Sequence, residues 1–357
     1  MSGVEPSGAR EPGATPETTR VEPGSHDAAW DAYLDSRPES TFFHRSAWIS
    51  AVERTFAFRR ASIVARRDGR LCGVLPLHHV RLFPKGSALV SIPMSVYGGI
   101  VADDAVARRS LLEAAQEMAA RERVDYLELR HLDPVEGLVT GSRYVTFRRE
   151  IDPDADVNMS RIPRNQRRSI RVALKHGLRA ECGGAERLDD FYDIYVESTR
   201  NLGSPVFPKA LFRNALEGLG PACEILCVYD GARMVAGVMT FYHRDQVLPY
   251  YGGARRDAFR LACNDFMYWS LLCRAADRGL RIFDFGRSKK ESGSYHFKRH
   301  WGFEPHPLAY QYHLVRARAL PDRSPMNPRY ALAIGLWKRV PIPVARWIGP
   351  RLVRFFP

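Results

Sequence analysis

Period-two alternation of apolar and polar residues marks Ala61–Arg66 and Leu71–His78, and the Asp68-Gly69 pair between them predicts a hairpin turn. Ahead of this hairpin, Trp48–Phe56 carries apolar residues at helical spacing. Behind it come the apolar run Leu89–Pro93, the string Tyr97-Gly98-Gly99, a helical pattern over 104–122 and a strand at Tyr126–Arg130. The same order then recurs. A helix near 188–200 leads to Cys223–Tyr229 and Met234–Tyr242, paired around Asp230-Gly231, and a strand Gln246–Tyr250 runs into Tyr251-Gly252-Gly253. A helix over 264–278, capped by Asn264 or Asp265 and stopped by Gly279, precedes a strand at Arg281–Phe285. Each half reads helix–hairpin–strand–Tyr-Gly-Gly–helix–strand, an α/β arrangement in tandem.

That order is the one the N-acetyltransferase-like (GNAT) fold shows, a mixed sheet splayed to hold an acyl donor. The patterns alone establish an α/β duplication; with the family resemblance that particular strings carry, the expected fold class is α/β, as tandem duplicated GNAT-like domains with mixed sheets. The expected divisions are a disordered leader over 1–26, rich in Gly, Pro and Ser, and a first GNAT-like domain over 27–155. A basic linker helix over 156–184, a second and catalytic GNAT-like domain over 185–318 and a basic-aromatic tail over 319–357 follow.

Charge sharpens the picture. Lys and Arg exceed Asp and Glu by 53 − 40 = 13, while 45% hydrophobic residues exclude a chain disordered throughout. Between Pro163 and Gly177, Arg164, Arg167, Arg168, Arg171 and Lys175 fall on one helical face with no acid among them. Like charges at this spacing repel, so a diphosphate or RNA is expected opposite; the plain alternative is a solvated surface helix. In the tail, Lys338, Arg339, Arg346, Arg351 and Arg354 interleave with Trp337, Trp347, Phe355 and Phe356, which suits an anionic bilayer interface. Pro341, Pro343 and Pro350 argue against a long helix there, and the other reading is a tail packed back on the body. No run approaches the roughly 20 apolar residues of a membrane span. The first 26 residues lack the apolar stretch of a secretory signal, and the six cysteines have no CxxC spacing. A cytoplasmic protein with reduced thiols, in peripheral contact with the inner membrane through its tail, is expected.

Several strings are more specific. Phe283-Asp-Phe-Gly-Arg-Ser288, Phe297-Lys-Arg-His-Trp-Gly-Phe303, Phe42-Phe-His-Arg-Ser-Ala-Trp48 and the basic helix ending in Lys-His-Gly-Leu together resemble the FemAB/FemX peptidyltransferase family. Val96-Tyr-Gly-Gly-Ile100, Arg200-Asn-Leu-Gly-Ser-Pro-Val-Phe-Pro208, Pro249-Tyr-Tyr-Gly-Gly253 and Asn264-Asp-Phe-Met-Tyr-Trp269 are similar to the FemAB-type proteins associated with exosortase/PEP-CTERM systems. The resemblance runs from about residue 27 to the end, although the helical-hairpin arm of some Fem members is missing. It implies transfer of an acyl or aminoacyl group to an amine or hydroxyl of a cell-envelope or exopolysaccharide precursor bearing phosphate. The donor would be a co-substrate, aminoacyl-tRNA or acyl-CoA, with no tightly bound cofactor.

Acyl transfer passes through an oxyanion that needs a cation or N–H donors beside it. Lys298, in the Phe-Lys-x-x-Trp-Gly string, stands where the resemblance places a lysine near the reacting carbonyl; without the resemblance it reads as a surface lysine. Asp284 should point opposite Phe283 and Phe285, where a carboxylate could orient or deprotonate the nucleophile, or simply bond Arg287 or backbone amides. Tyr250, Tyr251, Gly252 and Gly253 end a central strand where glycines permit close approach to a ligand, or form a bulge. Tyr97 and Gly98 are their counterparts in the first copy and would serve the acceptor. Arg164, Arg168, Arg171, Arg200, Asn201 and Arg287 are the polar residues expected to bind substrate. No HExxH pattern, Walker loop or GxSxG elbow is present, so no metal is expected, and the lack of an evident pyrophosphate-binding Gly-x-Gly signature speaks mildly against acyl-CoA. Two rivals remain: an acyl-CoA-dependent exopolysaccharide acyltransferase, and a non-catalytic RNA- or membrane-binding protein on a decayed transferase fold.

Overall fold

The computed structural model describes residues 19–321 and 328–357. Its first half runs β1 (Arg20–Pro23), α1 (Ala28–Asp35), α2 (Ser46–Phe56), β2 (Arg59–Arg60), β3 (Ile63–Arg67), β4 (Arg70–Leu75), β5 (His78–Arg81), β6 (Ser87–Val90), β7 (Val101–Ala102), α3 (Ala105–Arg121), β8 (Tyr126–His131), β9 (Val139–Gly141) and β10 (Tyr144–Glu150). Next come α4 (Ala155–Arg161) and α5 (Arg164–Lys175). The second half has β11 (Arg179–Gly183), α6 (Leu188–Leu202), α7 (Lys209–Leu219), β12 (Cys223–Asp230), β13 (Arg233–His243), β14 (Gln246–Ala254), α8 (Cys263–Asp277), β15 (Ile282–Lys289), α9 (Gly293–His300), β16 (Pro305–Pro307) and β17 (Ala309–Leu314). Helices α10 (Pro328–Trp337) and α11 (Ile342–Val353) close the chain.

The duplication is real, and both copies splay their sheets. In the second, β14 runs parallel to β15 for only Gln246–Val247 against Ile282–Phe283, then leaves it; in the first, β6 follows β8 parallel over three residues. The copies also trade strands. From the first half, β10 enters the second sheet beside β15, giving the order β11-β12-β13-β14-β15-β10-β16. From the second half, β17 enters β2-β5-β6-β8-β17-β9 beside β8. A separate sheet, β1-β3-β4-β7, completes the first half. Pairing of β10 with β15 and of β17 with β8 joins the expected domains 27–155 and 185–318, and their cores are continuous: Phe42 stacks on Phe241 at 4.5 Å and Trp48 meets Tyr250 edge-on at 6.1 Å. The two halves therefore share a packed interior, not an open groove.

Other expectations shift in detail. Residues 20–23, inside the expected leader, pair with β3, and Asp27 caps α1 through the Ala29 and Trp30 amides; residues 1–18 lie outside those described. The expected linker helix, α5, buries Ile170 and Ala173, and Gln166 donates to Asp265 of α8, so it belongs to the second half. Helix α8 is entered through Ala262 at φ 51° with no side-chain cap, in place of the expected Asn264 or Asp265. Asp265 is occupied instead by Gln166 and by the Trp301 indole at 3.2 Å. Pro341 and Pro343 sit at the start of α11, where a missing N–H costs nothing, and Pro350 is carried within it, so the tail is helical after all.

Candidate functional site

The residues that converge do so around one loop, 91–99, which follows β6 and crosses to the second half. Ile92 and Met94 adopt φ of 47° and 65°, a conformation that costs a branched or bulky side chain energy and persists only when held. It is held from several sides. Arg130 Nη1 donates to Ser95 O at 2.7 Å, Tyr250 Oη to Met94 O at 2.9 Å, Tyr310 Oη to Val96 O at 2.6 Å and Trp48 Nε1 to Ser95 Oγ at 2.7 Å. Arg130 is buried and paired with Glu128 at 2.8 Å on the same strand.

Tyr97 carries the loop into the second half. Its hydroxyl lies 3.0 Å from Asp284 Oδ2 and 2.5 Å from Thr146 Oγ1. Asp284 points away from Phe283 and Phe285, as expected from strand alternation, and is fully buried. It accepts from the Gly286 amide at 2.7 Å and pairs with Arg148 Nε at 3.1 Å. Burial raises its pKa, against Arg148, the Gly286 amide, the Tyr97 hydroxyl and Lys298. The carboxylate clasps the two halves; Arg287, its suggested bonding partner, points elsewhere.

Lys298 on α9 is buried as well, not a surface lysine. Its Nζ donates to the carbonyls of Phe285, Gly286 and Arg287 at 2.8, 3.0 and 3.1 Å, so all three N–H groups are engaged. The expectation of an ammonium aimed at an oxyanion thus meets a side chain that holds the β15 backbone. Burial pulls its pKa down to about 7, with Asp284 opposing and Arg287 assisting.

Arg287, whose backbone Lys298 holds, projects into a cavity of about 190 Å³ with Glu128, Arg130, Tyr144 and Tyr310. Its guanidinium stacks on Tyr144 at 4.7 Å and donates to Tyr310 Oη at 3.1 Å; no carboxylate pairs with it among the described residues. A half-buried cation held by phenol rings is arranged to receive an anion. A second cavity, about 200 Å³, lies on the other side of Arg130, bounded by Tyr97, Gly98, Gly99, His44 and His131. His44 Nε2 donates to Gly99 O at 2.9 Å, and His131 Nε2 accepts from Ile100 N at 3.0 Å. Burial lowers both imidazole pKa values to about 4, so both stay neutral near pH 7.

The glycines serve packing more than ligand approach. A Cβ on Gly253 would lie 2.8 Å from Ser198 Cβ and one on Gly252 3.2 Å from Tyr268 Oη; one on Gly98 would meet Ile92 at 2.9 Å. The register shift opposite Met239/Thr240 puts a bulge at Tyr250, and Tyr251 packs among Tyr195, Phe207 and Phe212 in the core. Arg200 does not reach the junction; it donates to Lys338 O at 2.8 Å and ties down the tail, with Asn201 beside it on α6. On α5, Arg164, Arg168, Arg171 and Lys175 are exposed and Arg167 half-buried, with no ion pair among the described residues. Sequence reasoning missed Arg130, Glu128, Thr146, Arg148 and Tyr310; a buried arginine two residues from a glutamate on an apolar strand was the one available signal.

Among the described residues no group of His, Cys, Asp or Glu side chains is gathered as a metal site, and no helix is long and apolar enough to cross a membrane.

Residues 160–299 match the family model described as an acetyltransferase (GNAT) domain. No curated protein matches the chain in sequence. Among solved structures, FemX is similar over 88% of this chain and 100% of its own, at 16% identity and a TM-score of 0.66. A tandem GNAT protein from the clavulanic acid biosynthesis pathway covers 85% of this chain and 100% of its own at 11% identity, TM-score 0.53. L-PGS from Bacillus licheniformis covers 88% and 98% at 12% identity, TM-score 0.51. This chain has the tandem GNAT-like α/β fold, and its residues 160–299 are similar to a GNAT acetyltransferase domain.

Proposed function

We propose that the protein is a FemAB-like acyltransferase that moves an aminoacyl or acyl group onto an amine or hydroxyl of a cell-envelope or exopolysaccharide precursor, at the membrane surface and in an exosortase/PEP-CTERM setting. The single observation that carries this reading is the parting of β14 from β15 after Val247 and Phe283 beside a strained loop of the first half, with Arg287, which has no carboxylate partner among the described residues, in the adjoining cavity. In this reading Arg287 binds the acceptor's phosphate or carboxylate, and Tyr97 with Gly98 borders the acceptor's path. Asp284 orients Tyr97. Lys298 is a positioning residue that fixes the carbonyl turn from which Arg287 projects. The exposed arginines of α5 offer a phosphate-binding stripe to a tRNA donor.

The acyl-CoA reading also has an observation in its favour. Arg256 and Arg260 are exposed at the entry to α8, whose first amides carry no side-chain cap, a setting suited to a diphosphate. The test is to incubate the purified protein with labelled aminoacyl-tRNA or acyl-CoA and an envelope-precursor fraction, and to follow label by mass spectrometry. Transfer from tRNA that falls on replacing Arg164, Arg168 and Arg171 by Ala, with a salt slope smaller by about 2–3, supports the first reading. Transfer from acyl-CoA that falls with Arg256→Ala supports the second. Failure with every donor leaves a non-catalytic binding protein.

A further inference from the structure

Away from the junction, a cavity of about 510 Å³ is walled almost wholly by cations and aromatics: Arg59, His79 and Arg81 with Phe58, and Arg354 with Phe355 from beyond α11. Glu122 pairs with Arg59. Burial and the Arg59 charge lower the His79 pKa. Arg81 and Arg354 have no carboxylate partner among the described residues, and from Arg323 to Pro357 the sequence holds no Asp or Glu. The cavity therefore keeps two uncompensated charges.

Helix α11 leads into this cavity with two unlike faces. Ala345, Gly349 and Val353 are buried, and a Cβ on Gly349 would stand 2.7 Å from Val206 N, so this side is sealed on the body. Val344, Trp347, Arg351 and Arg354 recur at i, i+3, i+7 and i+10 on the outer side. Trp347 is 63% exposed and Arg351 stacks on it at 4.5 Å. Phe83, 51% exposed, stands 6.4 Å from the rings of Phe355 and Phe356 and adds an apolar residue at the cavity's edge.

We propose that this face docks on an anionic phospholipid bilayer, with a lipid phosphate in the cavity between Arg81 and Arg354 and with Trp347, Val344 and Phe83 at the headgroup–acyl boundary. Charge complementarity selects an anionic partner, and the exposed apolar side chains select a bilayer, since a nucleic-acid backbone offers them no apolar phase. The inference rests on the membrane-surface part of the proposed function and is independent of the transfer chemistry.

Vesicle co-sedimentation of the full chain tests it, with phosphatidylcholine alone and with phosphatidylglycerol added. Wild type binds the anionic vesicles. Arg81→Ala with Arg354→Ala weakens that binding on the order of twentyfold, at about fivefold for each arginine near an anionic surface. Arg70→Ala with Arg109→Ala removes the same charge from exposed positions elsewhere and weakens it far less. Arg81→Glu leaves the C-terminal segment untouched and reproduces the loss, which guards against a folding artefact. Equal loss in both double variants, equal binding to neutral and anionic vesicles, or loss confined to RNA binding overturns the proposal.

Discussion

Replacing Lys298 by Met keeps much of the side chain's length and removes the ammonium, which sets two buried effects against each other. The three carbonyls of Phe285, Gly286 and Arg287 lose their donor, and an unmet buried acceptor costs roughly 1–3 kcal/mol. In return the variant no longer buries a charge whose pKa has fallen from 10.5 to about 7. A lysine whose native pKa lies below its unfolded one binds fewer protons folded than unfolded between those values, so its penalty is full below pH 7 and is relieved as pH rises. At about 1.4 kcal/mol per decade, the relief between pH 7 and pH 9 is about 2 kcal/mol. Urea unfolding of wild type and Lys298→Met at both pH values measures it, and titrations common to the two proteins cancel. Wild type should gain about 2 kcal/mol on the variant between pH 7 and pH 9. A gap independent of pH would mean that the carbonyl cage holds the proton throughout, and the argument from burial would fail.

Three further outcomes follow from the same geometry. Tyr97→Phe and Asp284→Asn should each destabilise, and their double-mutant cycle in urea should return a coupling of about 1–3 kcal/mol, because each loses the partner the other leaves buried. Gly99→Ala places a Cβ 2.0 Å from the His131 ring and should cost at least about 2 kcal/mol, whereas Gly293→Ala, with open space at the start of α9, should stay within about 0.5 kcal/mol in thermal unfolding. Arg287→Ala should raise the acceptor KM more than it lowers kcat, and Arg287→Lys should not restore it, since an ammonium cannot reproduce the guanidinium stacked on Tyr144 and Tyr310.

The elements most legible in the sequence were those whose pattern is local. Hairpin β12–β13 and helix α3 could be placed within a residue or two because alternation and helical spacing are properties of a few neighbours. The basic helix between Pro163 and Gly177 was bounded by the same punctuation that ends it in the structure, Gly177 at φ 66°. What stayed hidden was pairing over long separations. Nothing in Tyr144–Glu150 says that its partner is Ile282–Lys289 and not a strand of its own half, because an alternating strand is equally content beside either. The run Leu71–His78 shows the same limit: read as one strand, it breaks at Pro76, and the part after it joins another sheet.

The strand exchange also explains why the site residues were only half found. Asp284 and Tyr97 were picked out separately, one for a base and one for an acceptor, yet their contact exists only because β10 brings Thr146 and Arg148 to the same place. Once β10 lies beside β15 and β17 beside β8, Arg287 and Tyr310 must face Glu128 and Arg130 across the junction, and the loop 91–99 is trapped between them. A tandem α/β protein that merely juxtaposed its halves could open there as a hinge. Here separating them would break four strand pairings, expose the Phe42–Phe241 stack and strand the Asp284 carboxylate, so in the proposed reading substrates reach a rigid junction through the two cavities that Arg130 lines.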